Sequence, residues 1–205
     1  MESINRIATL LAFLAWGWTP AVYAQNCHNV DVHGDQPFGQ VTNQRPGACN
    51  MQLKNGFPIP DPSCTPGAFN PTITVEIIDD PDFSTKCIRD QATTPREKSV
   101  TYSWYRLRPP ANNDGQNQVC ELDHLVPLEL GGADTLDNIW PQCGPNGVAL
   151  RARYFKLKDM VEDYLTAMVK AAKMDLDEAR KGIATDWTQY LAAARLACRG
   201  ERCRV

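Results

Sequence analysis

Leu157, Val161, Tyr164, Met168 and Ala172 recur at steps of three and four residues. That is the spacing of one helix face, and it predicts an amphipathic helix over about 148–173. Ahead of it the period shortens to two. Thr72-Ile-Thr-Val-Glu-Ile-Ile alternates as a strand does, and Val100-Thr-Tyr-Ser-Trp-Tyr fits a strand or a short helix. Residues 119–127 and 136–140 read as two short strands, joined by a loop over 128–135 that contains Gly131-Gly132. Beyond the long helix, Asp175 is placed to cap a short helix through Lys181, and 186–197 predicts a third. Residues 25–71 are rich in Asn, Gln, Gly and Pro with little periodicity. Within them Phe57-Pro-Ile-Pro-Asp-Pro is extended or turn-like, because each proline restricts its predecessor. The expected fold is α+β, with an irregular N-terminal region over 25–71 and a domain over 72–205 in which two strands precede the long helix.

The first 24 residues read differently. Arg6, the apolar run Ile7 to Trp18, and small Val22 and Ala24 before Gln25 predict a cleavable export signal. About a dozen apolar residues fall short of the ~20 a spanning helix needs, so no membrane anchor is expected and the mature chain is placed outside the cytoplasm, secreted or periplasmic. All eight cysteines lie beyond that segment, which favours disulfides; C-x-x-C pairs are absent and only three histidines exist, which disfavours zinc. Sequence does not fix the connectivity. Pairing in chain order (27–49, 64–87, 120–143, 198–203) keeps every loop local and is the simplest expectation.

The chain has 205 residues, 43% apolar and 22% charged, with a net charge of −3. This is ordinary globular composition and excludes a wholly disordered chain. It also excludes a protein coated with positive charge, so any phosphate-binding surface must be local. Trp140 and Trp187 sit next to element ends and read as core. Asp79, Asp80 and Asp82 lack calcium-loop spacing and read as a solvated turn. His28 and His33, in the polar N-terminal stretch, read as surface residues.

Chemistry concentrates at Cys120-Glu-Leu-Asp-His-Leu-Val-Pro-Leu-Glu-Leu-Gly-Gly with Asn138. His124, at a strand end beside a carboxylate, can accept a proton from water near neutrality. Asp123 can face the other way and hold a hard cation through oxygen. Gly131-Gly132 permits a tight loop, and the Asn138 amide can tie that loop to the strand. Glu121 would share the Asp123 face, as a second carboxylate or as the partner of an arginine. A helix beginning near Val148 would aim its positive end, with Arg151, Arg153, Lys156 and Lys158, towards a phosphate. The two lysines also fit a plain solvated helix face. Arg199, Arg202 and Arg204 form a basic tail around Cys198 and Cys203.

Asp123-His124-Leu-Val-Pro-Leu-x-x-Gly-Gly followed by Asn138 resembles the HNH, or ββα-metal, nuclease motif. Together with Cys64-Thr-Pro-Gly-Ala, Cys87, Asn138-Ile-Trp-Pro-Gln, Lys158-Asp and Ile183-Ala-Thr-Asp-Trp, the chain is similar over about 58–190 to exported bacterial HNH-like proteins. The resemblance implies His124 as general base, Asp123 as metal ligand, and Asn138 as the brace of the loop that orients the base. No histidine follows His124, so the motif's helix ligand must be replaced, and Asn146 is the best-placed oxygen donor. Mg²⁺ is then the expected cofactor and nucleic acid, DNA ahead of RNA, the expected substrate, with Arg151, Arg153 and Lys158 on its phosphates. A scaffold without turnover, and a secreted nuclease toxin, are the other readings.

Overall fold

The structure is a computed structural model, and residues 36–89, 95–199 and 202–205 are described. The predicted export signal, Cys27, His28 and His33 lie outside the described residues.

The N-terminal region is built from two-stranded ribbons. β1 (Gln36–Pro37) pairs antiparallel with β4 (Ala68–Phe69), and between them β2 (Gln52–Lys54) pairs with β3 (Phe57–Ile59). The β2–β3 turn is Asn55-Gly56, both at positive φ (51° and 81°), the backbone that matches the twist of a tight hairpin. This region belongs to the main core. Ile59 is buried there, Phe57 meets Trp187 edge-on at 5.5 Å, and the Trp187 Nε1–H donates to Pro58 O at 3.0 Å.

The alternating stretch 72–78 forms no strand. Its centre is helical, α1 (Val75–Asp79). Asn70 Oδ1 accepts from Thr72 N at 2.9 Å and from Thr72 Oγ1 at 2.6 Å, turning the chain, and Ile73 O accepts from Arg180 instead of from a neighbouring strand. Ile73, before the helix, and Ile78, within it, are both buried, whereas strict alternation would send them to opposite faces. Next come α2 (Pro95–Lys98) and α3 (Val100–Trp104), so the second ambiguous stretch is a helix.

β5 (Cys120–His124) and β6 (Ile139–Cys143) pair antiparallel, with Cys120 opposite Cys143 and His124 opposite Ile139. Both are displaced from the expected limits for one reason. Asn138 folds its side chain back onto Val126, ending β5 early and starting β6 late. The long helix is α4 (Tyr154–Lys170), shorter than 148–173 because Leu150–Ala152 is a 3-10 turn and Arg153 is extended. Asp175 caps α5 (Leu176–Asp186) by accepting from Asp177 N and Glu178 N, and the helix continues beyond Lys181. Asp186 then accepts from Thr188 N at 3.0 Å and restarts the chain as a 3-10 turn. Only α6 (Leu191–Ala197) remains of the single helix expected over 186–197. β7 (Cys198–Arg199) and β8 (Arg202–Cys203) close the chain as a hairpin.

Among the described residues the architecture is α+β: small antiparallel ribbons around a helical core. α4 supplies Val161, Leu165 and Val169 to that core, against Ile183, Trp187, Leu191 and Ala194 of the C-terminal helices. A second cluster places Trp140 beside Trp104, Tyr105, Leu125 and the Cys49–Cys64 disulfide. That bond overturns the chain-order pairs 27–49 and 64–87, because Cys49 and Cys64 close a loop of only 15 residues. Cys120–Cys143 and Cys198–Cys203 form as expected, and Cys87 is disulfide-bonded. No helix among the described residues is long and apolar enough to cross a membrane.

Candidate functional site

A pocket of about 430 Å³ opens between the β5–β6 hairpin, the loop after it and α4. Strand alternation would send Asp123 and His124 to opposite faces. The chain bends out of the strand after His124, and both residues line this pocket.

His124 Nε2 lies 2.6 Å from Asp134 Oδ1. Nδ1 has no protein partner among the described residues. Asp134 is 1% exposed and also accepts from Lys98 Nζ at 2.5 Å. Burial alone would raise the Asp134 carboxyl, but the hydrogen bonds from His124 and Lys98 outweigh it and bring the pKa down to about 2. Burial pushes the imidazole pKa below its ordinary value, only partly offset by Asp134. His124 is therefore neutral at neutral pH. With Nε2–H given to the carboxylate, Nδ1 carries the free lone pair.

The loop that brings Asp134 to His124 is held by Asn138, which is fully buried. Its Nδ2 donates to Val126 O at 2.9 Å and to Ala133 O at 2.8 Å, while its Oδ1 accepts from Val126 N at 2.9 Å and Ala68 N at 3.3 Å. Gly132 lies against the Val126 carbonyl, where a Cβ would collide, and Gly131 sits at φ 75° under Arg180. Both glycines are required by close approach of backbone or side chain.

Asp123 meets an internal cation. Lys158, with no exposed surface, places Nζ 2.6 Å from His124 O, 2.5 Å from Glu162 Oε1 and 2.9 Å from Asp123 Oδ2. The last contact is an ion pair without hydrogen-bond alignment. Burial raises the Asp123 and Glu162 carboxyls, with Lys158 opposing, and the two carboxylates hold the lysine firmly protonated despite its burial. The expected phosphate contact at Lys158 is thus corrected: the ammonium is sealed beneath the pocket.

The other expected contacts also move. α4 begins at the disulfide-closed end of the hairpin, where Tyr154 N donates to Gly144 O at 2.8 Å, away from the His124 end. The pocket is therefore lined by later turns of α4, through Asp159, Glu162 and Asp163, and not by its N-terminus. Arg153 is buried and donates to Pro145 O; Arg151 and Asn146 are exposed, and none of the three lines the pocket. Glu121 lines it, with Gln118 Nε2 at 3.2 Å and Lys156 Nζ at 3.9 Å as its partners in place of an arginine. Lys156 also pairs with Asp159 at 2.6 Å.

Asp134, Lys98, Glu162 and Arg89 of this site went unread in the sequence. Glu162 carried a signal, its i,i+4 spacing from Lys158. Asp134 stands ten residues after His124 in a loop, where no spacing rule applies. Among the described residues, no group of three or more His, Cys, Asp or Glu side chains is arranged to hold a metal ion. No protein-family model matches the chain, and no curated protein and no solved structure matches it significantly.

Proposed function

We propose that the chain is an exported HNH-type nuclease that hydrolyses phosphodiester bonds, with His124 as general base. One juxtaposition carries the reading: the 2.6 Å contact between His124 Nε2 and the buried Asp134 carboxylate, in a histidine that lines the pocket and whose Nδ1 has no protein partner among the described residues. A water at Nδ1 gives its proton to the ring as it attacks phosphorus, and Asp134 stabilises the imidazolium that forms. Asn138 keeps the Asp134 loop against β5 and acts as a positioning residue.

HNH enzymes employ a divalent cation, which the resemblance assigns to Asp123. The residues as placed do not fit such an ion, because Lys158 already sits against both Asp123 and Glu162, and Asn146 does not line the pocket. The proton transfer above therefore rests on the chain's own groups. The same lysine favours a second reading, a binding protein on this scaffold without turnover.

Plasmid DNA incubated with purified protein, with Mg²⁺ and separately with chelator, tests both. Wild type is expected to cut the plasmid, and His124→Ala to leave it whole with nearly unchanged thermal unfolding. Plasmid left whole by wild type under both conditions would overturn the nuclease reading, and normal cutting by His124→Ala would remove His124 from the mechanism.

A further inference from the structure

The pocket has an unfavourable lining for a polyanion. Glu121, Asp123, Glu129, Asp159, Glu162 and Asp163 surround His124, and the lysine beneath is sealed. Arg89 is the one exposed cation among the described lining residues, and with Lys158 and Arg153 buried it stands against six carboxylates, so a nucleic-acid backbone needs further positive charge outside the pocket.

It is concentrated at the C-terminus. Residues 195–205 contain Arg195, Arg199, Arg202 and Arg204 against one acid, Glu201. In the β7–β8 hairpin Cys198 lies opposite Cys203 and Arg199 opposite Arg202, and Arg204 N donates to Ala197 O at 2.9 Å, continuing the ladder. The disulfide turns inward, with Cys198 buried and its Sγ 3.8 Å from Met160 O of α4. Period-two alternation then sends the arginines outward. Arg199, Arg202 and Arg204 are exposed, line a cavity of about 370 Å³ beside Leu196, and form no ion pair among the described residues.

Like charges directly opposite across two strands destabilise a hairpin. Here the Arg199–Arg202 pair is kept in register by the neighbouring cross-strand disulfide, which confines the chain to that geometry. A row of exposed guanidinium groups held in register suits an array of phosphates, each able to take two parallel hydrogen bonds from one arginine. We infer that the disulfide-locked C-terminal hairpin, which follows α6 and packs against the pocket-lining helix α4, is a binding arm for the phosphate backbone of nucleic acid. It rests on the nuclease reading for the identity of the polyanion.

The experiment uses the full chain with His124→Ala, which keeps the probe whole, and a fluorescent duplex of about 20 base pairs, long enough to cover several phosphates. Anisotropy is followed as salt is raised. The Arg199→Gln/Arg202→Gln/Arg204→Gln variant is expected to bind about tenfold or more weakly, and its log–log salt slope to fall by about 2–3, close to one per lost phosphate contact. Its thermal midpoint should hold or rise, because the opposed charges are gone. Unchanged affinity and slope would overturn the inference. So would binding to phosphatidylglycerol vesicles that depends on the three arginines while duplex binding does not. Failure of the nuclease reading is seen separately, as wild-type protein that leaves the duplex whole.

Discussion

The carboxylate of Asp134 faces His124 Nε2 at 2.6 Å and Lys98 Nζ at 2.5 Å at once, so one buried acid fixes the imidazole and is itself held in place. This is the arrangement that sets the tautomer of a catalytic histidine. Asp134→Asn keeps the shape but offers an amide whose NH₂ can face Nε2 and reverse the tautomer. Cleavage is expected to fall about 10²–10⁴-fold, with the unfolding midpoint moved by only a few degrees. Full activity in that variant would remove Asp134 from the mechanism.

The same pair gives the rate a defined pH dependence. Burial lowers the imidazole pKa below its ordinary 6.5, so the base is present at neutral pH and cleavage should fall on the acid side of that value. Asp134 favours the protonated ring, so Asp134→Asn moves the acid limb further down. A residue with only a scaffolding part would lower the plateau and leave the limb in place; rate profiles of the two proteins separate these outcomes.

Acid stability follows from the carboxylate itself. The Asp134 pKa is about 2 in the fold against an ordinary 3.8, so its contribution is present above about pH 4 and is lost as pH falls through 2. Its size is about 2 kcal/mol. Denaturant titrations on either side of that window should show the loss in wild type and a reduced loss in Asp134→Asn.

Lys158 gives the largest expected stability effect on α4. Replacing it with Met leaves Asp123 and Glu162 without a counter-ion in a buried site, and His124 O without its donor. The cost should be about 3–5 kcal/mol at neutral pH. It should shrink as pH is lowered and the two carboxyls take up protons, because burial already raises both. Glu162→Gln, which leaves one carboxylate to one lysine, should be far milder. A pH-independent loss in Lys158→Met would mean that packing, and not charge, is what the lysine supplies.

Local pattern made the hairpin, the long helix and two disulfides legible, because each depends on neighbours in sequence or on a period. Val161 and Leu165 had to share a face, and Asp175 had to cap what followed. The stretch around Ile73 was misread because its fate was decided at long range. Arg180, 107 residues away, claims the Ile73 carbonyl that a strand would have used. Lys158 reads as a surface cation because the helical wheel does not show that Asp123 and Glu162 fold over it. His124 and Asn138 were visible as a motif, but their principal partner, Asp134, was selected by a loop conformation that the motif does not encode.

Asn138 tests whether that loop conformation matters to the chemistry. The site demands two donors and one acceptor within a single fully buried side chain, since Val126 O and Ala133 O must be met by N–H while Val126 N and Ala68 N must be met by oxygen. Only a carboxamide supplies both. Asn138→Ala strands all four backbone groups and should cost about 3 kcal/mol or more, given about 1–3 for each buried group left without a partner and some relaxation. Asn138→Asp keeps the volume but turns an acceptor towards two carbonyls, so it should be no better than alanine at neutral pH and should recover partly in acid, as the carboxyl gains a proton to donate. Measured under conditions where both variants remain folded, the rate should fall with each, because the Asp134 loop loses its tie to β5 while His124 is untouched. If a folded Asn138→Ala protein cleaved at the wild-type rate, the loop would be held by other contacts, and Asn138 would be a residue of stability alone.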